Sequence, residues 1–408
     1  MVAGLVTGES IVNPDKMFQD AGIHSIIDRV ERVDRKNKEV GLTGGSSIPY
    51  DKLVLGLGSR PLIPPIEGTD LKGVFCLRRL DDAGDIRKFL QERDSRKPVF
   101  IGAGFISMEQ ATLLMENAPG RYEANIIELL EYPLPLMIDR ELGVRIQEYL
   151  TDKGLKFRMG QKVTKILGEN GRVTGVQLSS GESVAADTVF MNVGVRPNLE
   201  LAEQMGLELG RFGIKVNQFL ETSDPDILAA GDCIENIHFV TKKPVPIQLR
   251  GPAVIQGRLI AKRLAGHSIP FPGVLGNSVV RLFDKYIAAT GLTEQQAGRE
   301  GLRTVCATVD SRSKHNMIPG KKAWTLKLVF DRETEKLIGG QIISDDIAPA
   351  KEIDTINALI IGEKTIPDLT VLMCAGNPDC SSEPSAEPIT IAAEQAMQKM
   401  RADLPPGN

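Results

Sequence analysis

Apolar and polar positions along the chain predict one complete βαβ unit in its first third. A short apolar run at 99–101 leads into the turn Gly102-Ala103-Gly104, and residues 105–117 carry apolar side chains at helical spacing. A second apolar run at 124–127 ends on Glu128. The predicted order is therefore strand, glycine turn, helix, strand and acid.

The other apolar periodicities predict a chain of mixed α/β type. A chain of 408 residues corresponds to two or three domains at about 150 residues each. Beyond residue 270 the pattern becomes β-rich. Strands are predicted at 23–33, 38–42, 52–57, 279–283, 287–289, 303–309, 324–330 and 337–343, a meander at 160–187, a buried run at 188–198, and helices at 252–265, 293–300 and 348–361.

The glycine turn and Glu128 predict a dinucleotide site. Gly102 and Gly104 let a pyrophosphate approach the backbone, where the first N–H groups of the helix face it. Ser107 takes the third glycine position, and a lone G-x-G-x-x-S turn also occurs in ordinary α/β crossovers. Glu128 ends the second strand, where a carboxylate accepts a ribose 2′-hydroxyl, although its spacing exceeds the usual offset of about 20 residues. Leu129-Leu130 follow in place of Arg or Lys, which favours NAD over NADP.

Composition narrows the class of partner. A net charge of −4 with 25% charged residues offers no basic surface for nucleic acid and no polybasic membrane face. No apolar run approaches the roughly 20 residues of a membrane span, and the first ten residues lack a secretory pattern. Five scattered cysteines favour a reducing cytoplasm, and neither they nor the four histidines have zinc-site spacing. We therefore expect a cytoplasmic protein with a small-molecule partner and no metal.

Five further segments share motifs with one enzyme family. YDKLVLGLGSRP at 50–61 is similar to Y-D-x-L-V-x-A-T-G-S-x-P, the run to 198 ends like G-x-x-P-N, and TSDPDILAAGD at 222–232 is similar to T-S-x-P-x-I-x-A-x-G-D. PAVIQGRLIA at 252–261 is similar to A-x-x-Q-G-R-x-x-A, and the C-terminal part resembles a dimerisation domain with His315 and Pro319-Gly320 in place. The chain thus resembles the FAD-dependent pyridine nucleotide-disulfide oxidoreductases, in particular the NADH oxidase, coenzyme A-disulfide reductase and NAD(P)H:sulfur reductase branch.

The resemblance implies an α/β fold with two Rossmann-like domains and a C-terminal α+β dimerisation domain. The FAD-binding domain would comprise 1–68 and 197–266 and be incomplete at its start. The NAD(P)-binding domain would be 69–196, and the dimerisation domain 270–408.

The resemblance also implies the cofactors FAD and NAD(H) and their contacts. Asp232 would bond the ribityl chain of FAD, and the helix at 252–265 would direct its N-terminus at the flavin. The catalytic candidates would be Glu109 and Asn377. Glu109 would approach the nicotinamide or, alternatively, be a surface carboxylate. Asn377 stands where some members carry a histidine that serves the partner subunit's flavin, but an amide cannot exchange protons near neutral pH. The implied FAD contacts are Val30, Gly58, Ser59, Gly231 and Asp232, and the NAD contacts are Gly102, Ala103, Gly104, Phe105, Ile106, Glu128 and Gly194.

Two features of the family pattern have no counterpart here. The family opens with its own strand–GxGxxG–helix unit for FAD, followed by a Cys-Gly-x-Pro-Tyr segment with the redox cysteine, and no glycine fingerprint precedes Gly102. We expect a shortened gene model, with a chain completed by another polypeptide as the alternative. Cys374 and Cys380 are either a second redox pair or two unrelated thiols, and Cys233 is expected to be a small buried side chain.

These observations predict a homodimeric flavoenzyme. It would take hydride from NADH to FAD and pass electrons to oxygen, to a disulfide, persulfide or sulfur acceptor, or to a small redox protein; the sequence does not select among these acceptors. The alternative is a non-catalytic NAD-binding dimer or one part of a split flavoenzyme.

Overall fold

The computed structural model describes residues 1–402 and arranges them in separate parallel and antiparallel sheets flanked by helices. The strands are β1 Val30–Asp34, β2 Glu39–Leu42, β3 Ser47–Pro49, β4 Leu53–Leu55, β5 Ser59–Pro61, β6 Val74–Phe75, β7 Pro98–Ile101, β8 Asn125–Ile127, β9 Lys156–Arg158, β10 Val163–Glu169, β11 Arg172–Leu178, β12 Ser183–Ala185, β13 Thr188–Met191, β14 Val195–Pro197, β15 Ile227–Ala229, β16 Asn236–Ile237, β17 Pro244–Val245, β18 Ser278–Leu282, β19 Lys285–Gly291, β20 Thr304–Arg312, β21 Ala323–Asp331 and β22 Leu337–Ser344. The helices are α1 Asp15–Asp20, α2 Leu80–Glu92, α3 Phe105–Asn117, α4 Arg140–Asp152, α5 Glu200–Gln204, α6 Arg250–Leu264, α7 Glu294–Arg299, α8 Ile347–Ile361, α9 Ile366–Thr370 and α10 Pro388–Ala402.

A parallel sheet of five strands contains the predicted βαβ unit. Its order is β6-β13-β7-β8-β9, and every residue of β7, β8 and β13 is buried. Burial on both faces explains why these strands read as continuous apolar runs. Helix α3 connects β7 to β8 over the predicted residues, so the βαβ unit is confirmed.

The part of the chain assigned to FAD contains smaller sheets. Strands β1, β2 and β3 form an antiparallel meander, β15 pairs with β4 in parallel, and β14 pairs with β5 antiparallel. The strand predicted at 23–33 is wrong over its first part, because β1 begins only at Val30. Ile23, Ile26 and Ile27 are exposed to solvent, so their apolar spacing does not reflect a sheet face.

An antiparallel five-stranded sheet forms the C-terminal unit. Its order is β18-β19-β22-β21-β20, and helix α8 packs on β22 and β19. The predicted strands and the helix at 348–361 are confirmed within a few residues at each end. Helix α10, which packs on β20, was not predicted. The last six residues of the predicted dimerisation domain, 403–408, lie outside the described residues.

The C-terminal sheet and the βαβ unit share one hydrophobic core. Met108 and Leu114 of α3 belong to the same buried cluster as Val280 and Leu282 of β18. These two units are therefore packed directly against each other.

A buried lysine strengthens this contact. Lys327 of β21 is 2% exposed, and its Nζ lies 2.9 Å from an oxygen of Asp139, which precedes α4. The same ammonium lies 2.9 Å from a Glu294 oxygen and pairs with Glu141. The oxygens of the three acids lie within 4.8 Å of one another, as metal ligands do, but here they surround a lysine.

Asp139 is held by several further hydrogen bonds. Its carboxylate accepts the main-chain N–H groups of Glu294 (3.1 Å) and Gln295 (3.2 Å) and the side-chain amide of Gln341 (2.6 Å). Burial alone would raise the pKa of Asp139, but the Gln341 amide and the Lys327 ammonium lower it below the ordinary value. Burial acts to lower the pKa of Lys327, and its carboxylate partners raise it instead. Both groups are therefore charged at neutral pH.

Among helices within 1–402, none combines the length and the apolar character that crossing a bilayer requires.

Replacing Lys327 by Met should destabilise the protein strongly. The substitution leaves the buried Asp139 carboxylate beside Glu141 and Glu294 without a cation, and we expect a loss of about 3 kcal/mol in the free energy of unfolding. Urea denaturation followed by circular dichroism measures it. The control is Lys336→Met, whose ion pair with Glu363 is exposed, so its loss should change the free energy of unfolding little. Equal losses of unfolding free energy in the two variants would show that the buried ion-pair network does not stabilise the protein more than an exposed ion pair does.

Candidate dinucleotide and flavin site

The turn after β7 requires glycine at its first position. Gly102 has φ +96°, and a Cβ atom placed on it would lie 2.7 Å from the main-chain oxygen of Asn192. Its N–H donates to the Ile127 carbonyl at 2.8 Å. The turn is thus fixed against the ends of β8 and β13, at the carboxyl edge of the sheet, where ligands of such sheets bind.

The next glycine leaves open space for a ligand. Gly104 precedes α3 with φ −72°, and a Cβ atom on it would meet no atom within 4 Å. The first N–H groups of a helix have no partners within it, and the helix dipole makes this end attractive to anions. Open backbone beside these N–H groups fits a pyrophosphate.

Glu128 lies beside this turn. One of its carboxylate oxygens accepts the Ala103 N–H at 2.7 Å, and the other accepts the Leu130 N–H at 2.9 Å. Each oxygen keeps a second lone pair for a hydroxyl. Leu129 is 63% exposed and Leu130 is 39% exposed, so apolar surface, not a cation, adjoins the carboxylate. These carboxylate acceptors beside apolar surface fit a ribose without a 2′-phosphate.

The other predicted NAD residues of α3 lie on its open side. Phe105 and Ile106 are 38% and 36% exposed on the first turn. Glu109 follows on the second turn and is solvent-accessible, yet partial desolvation raises the pKa of its carboxyl above the usual value.

The predicted flavin residues meet at two glycine turns. Ser59 is buried and donates its hydroxyl proton to Asp232 at 2.7 Å, while Gly58 and Gly231 have φ +65° and +80°. The nearest atom to a Cβ on Gly231 would be the Ala253 Cβ, 3.7 Å away. A carboxylate beside two side-chain-free positions fits a hydroxylated chain such as the ribityl group of FAD.

A two-stranded ribbon joins the two predicted sites. In the β14–β5 pair, Pro197 lies opposite Ser59 and Val195 lies opposite Pro61. The Leu62 N–H donates to the Gly194 carbonyl at 3.0 Å. The segment that leaves β13 of the parallel sheet, at the predicted NAD residue Gly194, is therefore hydrogen-bonded to the segment that follows the predicted flavin residue Ser59.

Two predicted residues lie apart from these clusters. Val30 is 36% exposed at the start of β1, opposite Leu42. Asn377 lies in an irregular C-terminal loop, where its side-chain oxygen accepts the Asp379 N–H at 3.0 Å. The described contacts of this single chain do not connect Asn377 with Glu109.

The cysteines divide by environment. Cys233 is fully buried, and burial raises the pKa of its thiol, as expected for a small core side chain. Cys374 and Cys380 are exposed free thiols.

Sequence reasoning missed the amide side chains that support the two glycine turns of the predicted flavin site, at Gly58 and Gly231. Gln256 is fully buried, accepts the Gly231 N–H at 2.8 Å and donates to Asn236 at 2.8 Å. Asn198 donates its main-chain N–H to the Gly58 carbonyl at 3.0 Å and its amide to the Leu57 carbonyl at 2.9 Å. Gln256 and Asn198 lie inside the Q-G-R and P-N motifs, which were the available signal.

Comparison with known proteins gives a consistent result over most of the chain. The family model "Pyridine nucleotide-disulphide oxidoreductase" matches residues 9–249, and the model of its dimerisation domain matches residues 278–387. An NADH oxidase of Methanocaldococcus jannaschii is 33% identical over 90% of this chain and 81% of its own length.

Two sulfur-metabolising proteins are equally similar. An NAD(P)H coenzyme A polysulfide/persulfide reductase of Pyrococcus horikoshii is 34% identical over 90% of this chain and 82% of its own. The solved structure of an NAD-dependent persulfide reductase from A. fulgidus superposes with a TM-score of 0.92 at 31% identity, covering 98% of this chain and 75% of that one.

The two glycines of the turn should respond differently to alanine. Gly104→Ala places a methyl group in the open space for the pyrophosphate, so we expect NAD⁺ affinity to fall about tenfold, or about 1.4 kcal/mol, without loss of thermal stability. Gly102→Ala forces a strained φ against Asn192, so stability should fall by about 1–3 kcal/mol. Calorimetric titration with NAD⁺ and thermal melting measure both quantities. Unchanged affinity in Gly104→Ala would contradict the pyrophosphate site.

Proposed function

The chain belongs to the pyridine nucleotide-disulphide oxidoreductase family, and from this premise we propose an NADH-dependent flavoenzyme that reduces oxygen or a sulfur acceptor. Bound FAD would supply the hydride acceptor and the electron exit. The observation that carries the proposal is the β14–β5 ribbon, which joins the edge with Gly102 and Glu128 to the turn with Ser59. Nicotinamide and flavin must lie side by side for hydride transfer, and this connection supports such an arrangement.

The residues have separate tasks in this proposal. The first N–H groups of α3 hold the pyrophosphate, and Glu128 holds the adenine ribose. Asp232, oriented by the Ser59 hydroxyl, accepts a hydrogen bond from the ribityl chain. Glu109 stands at the nicotinamide end, where partial desolvation raises the pKa of its carboxyl above the usual value, and it is the candidate for proton exchange there.

The acceptor class follows from the relatives. The similar proteins include an NADH oxidase and two reductases of persulfide or polysulfide. We therefore propose that oxygen and persulfide-type sulfur are the acceptors to compare first.

Flavin reduction tests the function and the role of Glu128 together. Purified protein supplied with FAD should lose its visible flavin absorbance with NADH and recover it with oxygen or a persulfide. Glu128→Ala should lower kcat/KM for NADH about tenfold and leave NADPH nearly unchanged, because the ribose hydroxyls lose their acceptor. Glu131→Ala, which removes an exposed carboxylate three positions on, is the matched control.

The results would separate two failures. A protein that takes up no FAD would contradict a flavoenzyme formed by this chain alone and would favour the non-catalytic NAD-binding dimer or the split flavoenzyme. Bleaching with equal losses for NADH and NADPH in Glu128→Ala would contradict only the ribose contact.

We propose that the C-terminal unit forms a homodimer. Support comes from the dimerisation-domain match and from Met317, Val371 and Met373, which are apolar yet 75%, 74% and 97% exposed. Light scattering at micromolar concentration should give twice the chain mass, and Met373→Glu should weaken the association. A wild-type protein of single-chain mass would contradict the dimer.

We also place the protein in the cytoplasm. All five cysteines are free thiols, as a reducing compartment favours. Recovery of the protein in a secreted fraction would contradict this assignment.

A further inference from the structure

A buried polar cluster lies directly behind the glycine turn. The Asn192 side-chain amide donates to the hydroxyl of Ser107 and to the side-chain oxygen of Gln110, each at 3.1 Å. Ser107 is fully buried, and Gln110 is 8% exposed. These two residues lie on the first and second turns of α3, whereas Asn192 follows strand β13. The cluster therefore bonds the start of the helix to a different strand of the sheet.

Asn192 contacts the glycine turn a second time through its backbone. Its carbonyl oxygen is the atom that a Cβ on Gly102 would approach to 2.7 Å, and its N–H donates to the Ile101 carbonyl at 3.0 Å. One residue thus touches both the turn and the helix that follows it. A shift of Asn192 would move the N–H groups of the helix relative to Gly102.

The cluster contains one buried hydrogen-bond donor without a partner within residues 1–402. The Gln110 side-chain nitrogen is buried and has no hydrogen-bond partner among the described residues. A buried donor without a partner destabilises a fold, and such groups in native proteins call for a functional or structural reason. An apolar side chain at this position would pack without that penalty but could not accept the Asn192 amide.

We propose that Asn192 is a positioning residue for the dinucleotide. Acting through Ser107 and Gln110, it sets the angle of the first turn of α3, so that the N–H groups of that turn meet the pyrophosphate. The inference rests on the proposed NADH site and adds a specific determinant to it. The inference also explains the serine at the third position of the glycine fingerprint: the Ser107 hydroxyl accepts the Asn192 amide hydrogen bond, which a glycine could not do.

ADP-ribose is the probe that isolates this role, since it contains the pyrophosphate and the adenine ribose but no nicotinamide. Calorimetric titration of wild-type protein should show binding, and Asn192→Ala should weaken it about tenfold. The matched control is Asn125→Ala, which removes a buried amide from the opposite, amino end of β8. Asn125 donates to the Glu123 carbonyl, so this variant also loses one hydrogen bond, but its affinity should stay within about twofold of wild type.

A second variant separates positioning from stability. Gln110→Met keeps the shape of the side chain, removes the unpartnered donor and takes one acceptor from Asn192. We expect its melting temperature to stay level or rise, while ADP-ribose affinity falls about threefold. A purely structural role would move stability and affinity in the same direction.

The outcomes distinguish this inference from the proposed function. Wild-type protein that does not bind ADP-ribose would overturn the dinucleotide site itself. Wild-type binding with unchanged affinity in Asn192→Ala, or equal losses in Asn125→Ala, would overturn the positioning role alone.

Discussion

The ion pair between Lys327 and Asp139 is the constraint on which the relative placement of two units depends. The lysine comes from β21, an inner strand of the C-terminal sheet, and the aspartate precedes helix α4 of the unit that contains the five-stranded parallel sheet. Neither charge is stable in a dry interior alone, because desolvation of an unpaired ion costs several kcal/mol. The Asp139 carboxylate is therefore satisfied only when the C-terminal unit is docked, because Lys327 and the Gln341 amide both belong to that unit. Apolar packing between α3 and β18 supplies affinity without such a directional requirement.

This docking has consequences for the site. Helix α3, which begins at the glycine turn, packs against both the parallel sheet and β18. The helix therefore cannot shift freely. Asn192 holds its N-terminal turn, and apolar packing against β18 holds its last turns; the exposed Glu116–Arg281 ion pair beside them adds little. Catalysis by positioning requires such rigidity, since small displacements of bound groups cost large factors in rate.

Local features of the sequence predicted the βαβ unit around Gly102. They did not predict the hydrogen bonds and ion pairs that connect this unit with distant parts of the chain. The apolar run before Gly102, the helical spacing after it and the acid at Glu128 are adjacent in sequence, so α3 and its flanking strands could be predicted from the pattern. Helix α10 escaped prediction because its buried face is built mainly of alanines, which give little hydrophobic contrast. The isoleucines at 23–27 had strand-like spacing but face solvent.

The supporting residues could not be predicted for a physical reason. Asn192 lies 85 positions from Ser107, and Asp139 lies 202 positions from Gln341, so each hydrogen bond exists only once the chain has folded. An amide in a sequence gives no sign of which distant partner will satisfy it. Candidate binding groups such as Gly104 and Glu128 can be predicted from short sequence motifs, while the side chains that hold them in place depend on topology. A motif can therefore predict which ligand a site accepts, whereas the residues that hold that site in place are known only from the fold.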